Sequence, residues 1–163
     1  MIDLKEIKNN ILKKENCYFL AIILFIFGLD RYSKIEIINN FSDTSVYLND
    51  FLNFDLIWNT GIGFGLLSFN SYITYNVLTI LILIIILILL YVAIVSTKIE
   101  KIIFSFIIGG AIGNFYDRLT IQAVPDFIDL HYQTFHWFTF NVADIFITIG
   151  VLSYILKGFF EKN

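Results

Sequence analysis

Two aspartates in the C-terminal part of the chain, Asp126 and Asp144, have no lysine or arginine between them. Asp126 follows Pro125, the only proline, whose ring fixes its own φ and disfavours helix at Val124. The sequence therefore predicts a rigid break that aims Asp126. Asp144 closes the run Phe140-Asn141-Val142-Ala143-Asp144, where Asn141 and Asp144 share a helix face at i,i+3 spacing. Two close carboxylates cannot both ionise cheaply, so they share a proton and titrate as a unit. One can take a proton from water while the other protonates a carbonyl oxygen, which is aspartic hydrolase chemistry. A rival reading is the carboxylate relay of an ion- or proton-coupled transport component, and a third is a structural subunit.

Other polar residues could support such a pair. Asn114, Asp117 and Arg118 fall at i, i+3 and i+4, so the spacing places them on one helix face, where Asn can orient a carboxylate and Asp can pair with Arg. A capped, charge-balanced helix end reads equally well for Asp117. Asp30 and Lys34 are spaced for an i,i+4 ion pair, with Arg31 between them; a structural pair or lipid anchor and a substrate contact both fit. The run Asn59-Thr60-Gly61-Ile62-Gly63-Phe64-Gly65 predicts an irregular loop at the bilayer edge. His131 and His136 have no metal-spaced partners and read as interfacial polar residues, and Asp129 reads as a solvated loop acid. There is no Gly-x-Ser-x-Gly or His-Glu-x-x-His motif, and the single cysteine, Cys17, excludes an internal disulfide. No metal or cofactor is called for.

The elements that must position these groups follow from composition. The chain has 163 residues, of which 58% are hydrophobic, 18% aromatic and only 15% charged, against about 45–50% apolar and 25% charged in soluble domains. A water-facing globule is excluded. A net charge of -3 leaves no basic stripe for nucleic acid. The sequence predicts an all-α polytopic membrane protein in one domain, residues 1–163, with four transmembrane helices and a small extracytoplasmic β-sheet on the membrane surface. The spans are expected at about 16–38, 73–96, 102–118 and 138–157, each long enough for roughly 30 Å of hydrocarbon. The stretch Leu56 to Thr97 contains no Asp, Glu, Lys, Arg or His. The surface segment, about 39–72, carries the β-prone stretches Thr44 to Leu48 and Phe51 to Trp58.

Orientation follows from the cations. Lys5, Lys8, Lys13, Lys14, Lys98, Lys101, Lys157 and Lys162 fall on one side of a four-span arrangement, which the positive-inside rule assigns to the cytoplasm together with both termini. Asp43, Asp50, Asp55, Asp126 and Asp129 fall on the other. The first span lacks a small-residue cleavage site and reads as a retained anchor. Tyr132, Phe135, Trp137 and Phe138 read as an aromatic belt.

In these blocks the chain resembles the type II signal peptidases, the bacterial lipoprotein signal peptidases. Five ordered segments carry the resemblance: Asp30 to Lys34; Asn59-Thr60-Gly61-Ile62-Gly63-Phe64; Gly109-Gly110-Ala111-Ile112-Gly113-Asn114 through Asp117-Arg118; Val124-Pro125-Asp126-Phe127; and Phe140-Asn141-Val142-Ala143-Asp144. Gly63 and Pro125 depart from residues common in the family. The resemblance implies a multi-pass protein of the bacterial inner membrane with its active site at the outer face. It implies an aspartic endopeptidase that cleaves prolipoproteins on the amino side of a diacylglyceryl cysteine, in contact with membrane lipids and sensitive to the cyclic peptide globomycin. By motif position Asp126 and Asp144 are the catalytic pair, and Asn59, Asn114, Asp117, Arg118 and Asn141 its substrate-binding or supporting residues.

Overall fold

A computed structural model describes residues 15–61 and 72–161. Its elements run α1 (Glu15–Phe41), β1 (Val46–Asn49), β2 (Leu52–Asn59), α2 (Tyr72–Val95), α3 (Lys98–Thr120), β3 (Val124–Tyr132), β4 (Phe135–Phe140) and α4 (Val142–Phe160). Among the described residues three helices are long and apolar enough to cross a membrane: α2 from Ile73, α3 and α4. The 27-residue α1 is long enough but carries Asp30, Arg31, Lys34 and Glu36.

The apolar composition explains the helices and their packing. α2 is apolar all round, and Val77, Ile80, Leu81, Ile84 and Leu87 remain exposed, as on a helix facing lipid. It ends at Val95, and Thr97 caps α3 with a reciprocal Thr97/Glu100 box, so a two-residue link reverses the chain. α3 is the central helix, packing on α4, α1 and α2. Small residues allow the close approach: Gly109 lies against Ile26 of α1, and Gly110 against Ala143 and Ile147 of α4.

The sheet is four-stranded and antiparallel in the order β1-β2-β3-β4. Half of it comes from residues 124–140, beyond the segment whose β-propensity predicted it. The break expected at Pro125 is the second residue of strand β3, paired with Trp58; the redirection happens earlier, at Gln122, whose φ of 60 turns the chain out of α3. Two further expectations change. The last helix begins at Val142, not near 138, because Phe138 to Phe140 extend β4 and Asn141 is an extended cap (φ -128, ψ 179). Asp129 is buried on β3, 3% exposed, and its Oδ2 lies 2.7 Å from His136 Nδ1. His131 pairs with His136 across β3–β4, and their rings stack at 5.4 Å. Strand pairing therefore encloses a carboxylate that the sequence pattern left in solvent.

Candidate active site

Strand β3 and helix α4 bring Asp126 and Asp144 to one cavity of about 380 Å³. Asp126 reaches it because the β2–β3 register sets Asn59 opposite Val124, which puts Asn59 and Asp126 diagonally on one sheet face. Asn59 Nδ2 donates to Asp126 Oδ2 at 2.8 Å, and Asn141 Nδ2 donates to Oδ1 at 2.6 Å. Asp144 reaches it as the third residue of α4. Its backbone N–H donates to Asn141 Oδ1 at 3.1 Å, and its Oδ2 accepts from the Asn141 N–H at 3.2 Å, a capping box with Asn and Asp in the usual Ser and Glu places. Asn114 Nδ2 donates to Asp144 Oδ1 at 2.8 Å. Asn141, completely buried, thus holds both carboxyl groups.

The Asp126 carboxyl is 2% exposed. Burial pushes its pKa up to about 6, the nearby Asp144 charge adds to the rise, and the Asn59 and Asn141 donors oppose it. That value suits a group that exchanges protons near neutral pH.

The three α3 residues expected on one face divide between two tasks. Asn114 and Arg118 line the cavity. Arg118 donates through one Nη to the Asn114 carbonyl at 3.1 Å and through the other to the Gly61 carbonyl at 2.9 Å, while its buried Nε has no partner among the described residues. Gly61 N–H donates to Asn59 Oδ1 at 2.8 Å, so Arg118 and Asn59 together hold the chain after β2. The remainder of the predicted loop, Ile62 to Gly65, lies outside the described residues. Asp117 instead turns to α1. Lys34 Nζ lies 2.7 Å from Asp117 Oδ2 and 2.9 Å from Asp30 Oδ2, and Arg31 lies 2.6 Å from Asp117 Oδ1. Lys34 also donates to Asn114 Oδ1 at 2.9 Å, and Asp30 Oδ1 accepts from the Ala143 N–H at 3.0 Å. This buried cluster fixes α1, α3 and α4 against one another immediately behind the carboxylates. Lys34 as its hub was hidden from sequence reasoning, which saw only its i,i+4 partner.

Beyond its polar head the cavity is apolar, walled by Leu78, Ile82, Ile85 and Leu89 of α2 and by Ile107 and Ile147. Among the described residues no group of three His, Cys, Asp or Glu is arranged to hold a metal.

A sequence profile of the family described as Signal peptidase (SPase) II matches residues 22–160. The chain belongs to the signal peptidase II family. Curated relatives named lipoprotein signal peptidase agree: that of Pelagibacter ubique (strain HTCC1062) is 49% identical over 94% of this chain and 95% of its own length. That of Aquifex aeolicus (strain VF5) is 39% identical over 94% and 92%. Two solved structures share the fold. One, titled as a bacterial membrane enzyme at 2.3 Å resolution, gives a TM-score of 0.74 at 29% identity over 90% of both chains. The other, a bacterial membrane enzyme at 1.9 Å, gives 0.71 at 30% identity over 86% of this chain and 91% of that one. Signal peptidase II membership agrees with the resemblance carried by the five motif blocks, and it makes this chain a peptidase with membrane-spanning helices.

Proposed function

We propose that the chain removes signal peptides from lipid-modified prolipoproteins by an aspartic mechanism, cutting on the amino side of the diacylglyceryl cysteine, with Asp126 and Asp144 as the catalytic pair. The observation that carries this reading is the shared anchor: Asn141 hydrogen-bonds both carboxyl groups at the head of a cavity whose far wall is aliphatic. The polar head suits a peptide bond and the aliphatic wall suits acyl chains. With one proton between them, the ionised carboxylate takes a proton from water as its oxygen attacks the carbonyl carbon, and the protonated carboxyl donates to the carbonyl oxygen. Collapse of the tetrahedral intermediate breaks the C–N bond: the proton gained from water passes to the leaving amine, and the hydroxyl formed from the carbonyl oxygen returns its proton to the carboxylate that gave it. Asn59 and Asn114 orient the pair, and Arg118, which lines the head of the cavity, donates to a substrate carbonyl. Asp117 acts behind them, through the Lys34 cluster.

The proposed topology is four crossings with both termini cytoplasmic and the pair at the outer face. It is supported by Lys98, Lys101 and Lys157 gathering at the end of the bundle away from the pair. A cysteine placed at Lys98 should resist membrane-impermeant thiol reagents in intact cells, and labelling from outside would reverse the orientation. The relay alternative requires carboxylates spread through the membrane depth, whereas Asp30, Asp117, Asp126 and Asp144 sit around one site.

The test is a gel-shift assay with a lipid-modified prolipoprotein and the separate variants Asp126→Asn and Asp144→Asn. Each should process about 10²–10⁴-fold more slowly, and processing at the wild-type rate by either removes it from the pair. Inhibition by globomycin is the matching pharmacological expectation.

A further inference from the structure

A second cavity, of about 490 Å³, lies at the end of the bundle away from the aspartates, between α1, α2 and α3. Its volume falls in the range of about 300–1,000 Å³ usual for small-molecule sites. Its walls are Leu20 and Ile23 of α1, Leu90 and Ile94 of α2, and Ile108 of α3. One charged group lines it: Lys101 of α3, 7% exposed. A buried ammonium is costly unless an anion compensates it. Lys101 Nζ donates to Asn16 Oδ1 at 2.9 Å and lies 5.6 Å from the centre of the Phe19 ring, and no carboxylate among the described residues is within ion-pair reach of it. The acid adjacent in sequence, Glu100, is engaged elsewhere, by Lys157 at 3.1 Å and by the Thr97 cap. Ser105, also lining the cavity, spends its proton on the Lys101 carbonyl at 2.7 Å.

We propose that this cavity binds an anionic phospholipid, with the phosphate paired to Lys101 and one acyl chain lying along Leu20, Ile23, Leu90 and Ile94. The charge selects an anion, and the aliphatic walls select one that carries a hydrocarbon chain. A basic residue between helices near the membrane boundary is the general form of such a site. Asn16, which also lines the cavity, fixes the ammonium there, and Ala93 leaves room for the chain.

Native mass spectrometry of the full chain, released from detergent with equal amounts of dioleoylphosphatidylglycerol and dioleoylphosphatidylcholine, tests this. The wild type should retain phosphatidylglycerol at least tenfold in preference. Lys101→Met should lose that preference, whereas Lys98→Gln, at an exposed lysine on the same helix, should keep it. Ala93→Phe, which fills the groove and leaves the ammonium, should weaken phosphatidylglycerol retention to a similar extent and carries the test if Lys101→Met does not fold. Equal retention of the two lipids by the wild type, the result if residues 1–14 or a neutral acyl chain fill the groove, overturns the proposal. So does an unchanged preference in Lys101→Met or unchanged phosphatidylglycerol retention in Ala93→Phe. Displacement of phosphatidylglycerol by millimolar inorganic phosphate would make this a free-anion site and likewise overturn it.

Discussion

Asn141 donates through Nδ2 to Asp126 at 2.6 Å while its side-chain oxygen caps the helix that carries Asp144. One residue therefore sets the position of a strand carboxylate and a helix carboxylate together. The two tasks can be separated. Asn141→Ser retains a good N-cap acceptor, so thermal stability should change by no more than about 1 kcal/mol. Serine's short hydroxyl cannot span to Asp126, and the turnover number should fall by about 10²-fold, the scale for losing one preorganised donor. Wild-type turnover from a folded Asn141→Ser protein would show that the bridge is not needed.

The Asp126 pKa of about 6, with the Asp144 charge contributing to it, sets the sign of the pH dependence. The singly protonated pair is the working form, so kcat/KM should fall as pH rises through that region and the second proton leaves. Asn59 favours the ionised carboxylate by donating to it. Asn59→Ala should therefore move this alkaline limb upward, whatever it does to the height of the profile. The same raised value means that the Asp126 proton supports folding fully below about 4, the unfolded value, and that this contribution is lost as pH rises through about 6. A limb that stays in place or moves down in Asn59→Ala would contradict the assignment; profiles between pH 5 and 9 decide it.

Asp129, three residues beyond Asp126, gives the contrasting case. It is buried, yet its partner is His136 across the β3–β4 ladder, and it does not line the cavity. Asp129→Asn should process prolipoprotein within about threefold of wild type, since a surface-sheet change of this kind costs about 1 kcal/mol. A loss comparable to that of Asp126→Asn would require redrawing the site.

The contrast between these aspartates shows what was legible in the sequence. Asp126, Asp144, Asn59, Asn114 and Asn141 stood out because polar groups are scarce in so apolar a chain, and all five meet at one cavity. Helix spacing placed Asn114, Asp117 and Arg118 together but could not say which neighbour each would meet; the answer depends on α1 packing beside α3, which brings Lys34 to Asp117. The strands from 124 to 140 were hidden because their partner, β2, lies two helices earlier in the chain. The aliphatic cavity wall was hidden too, since Leu78, Ile82 and Ile85 look like any other residues of a membrane span.

Lys34 compensates two fully buried carboxylates, Asp30 and Asp117. Lys34→Met leaves Arg31 to serve both, with one contact of 2.6 Å and one of 3.7 Å. Removing one partner from a buried ionic cluster costs about 3–5 kcal/mol. The thermal midpoint in detergent should drop accordingly, and Lys34→Arg should recover part of the loss because it restores the charge. An unchanged midpoint in Lys34→Met would mean that the cluster contributes nothing to stability.

Close helix approach makes opposite predictions for two glycines. A Cβ on Gly110 would overlap the backbone oxygen of Ala143 and lie 2.9 Å from Ile147 Cγ1. The oxygen belongs to the first turn of α4 and cannot rotate away, so α3 and α4 must separate. That movement would part Asn114 on α3 from Asp144 on α4, which are joined by a bond of 2.8 Å. Gly110→Ala should therefore cost about 1–3 kcal/mol, the usual range for overpacking, and lower processing beyond what the loss of folded protein explains. A Cβ on Gly28 of α1 meets nothing within 4 Å, so Gly28→Ala removes backbone freedom without a clash and should leave stability unchanged or raise it by up to about 1 kcal/mol. Midpoints for the two variants, with processing normalised to folded protein, test the argument directly: equal effects at both positions would mean that the α3–α4 contact at Gly110 does not hold the site together.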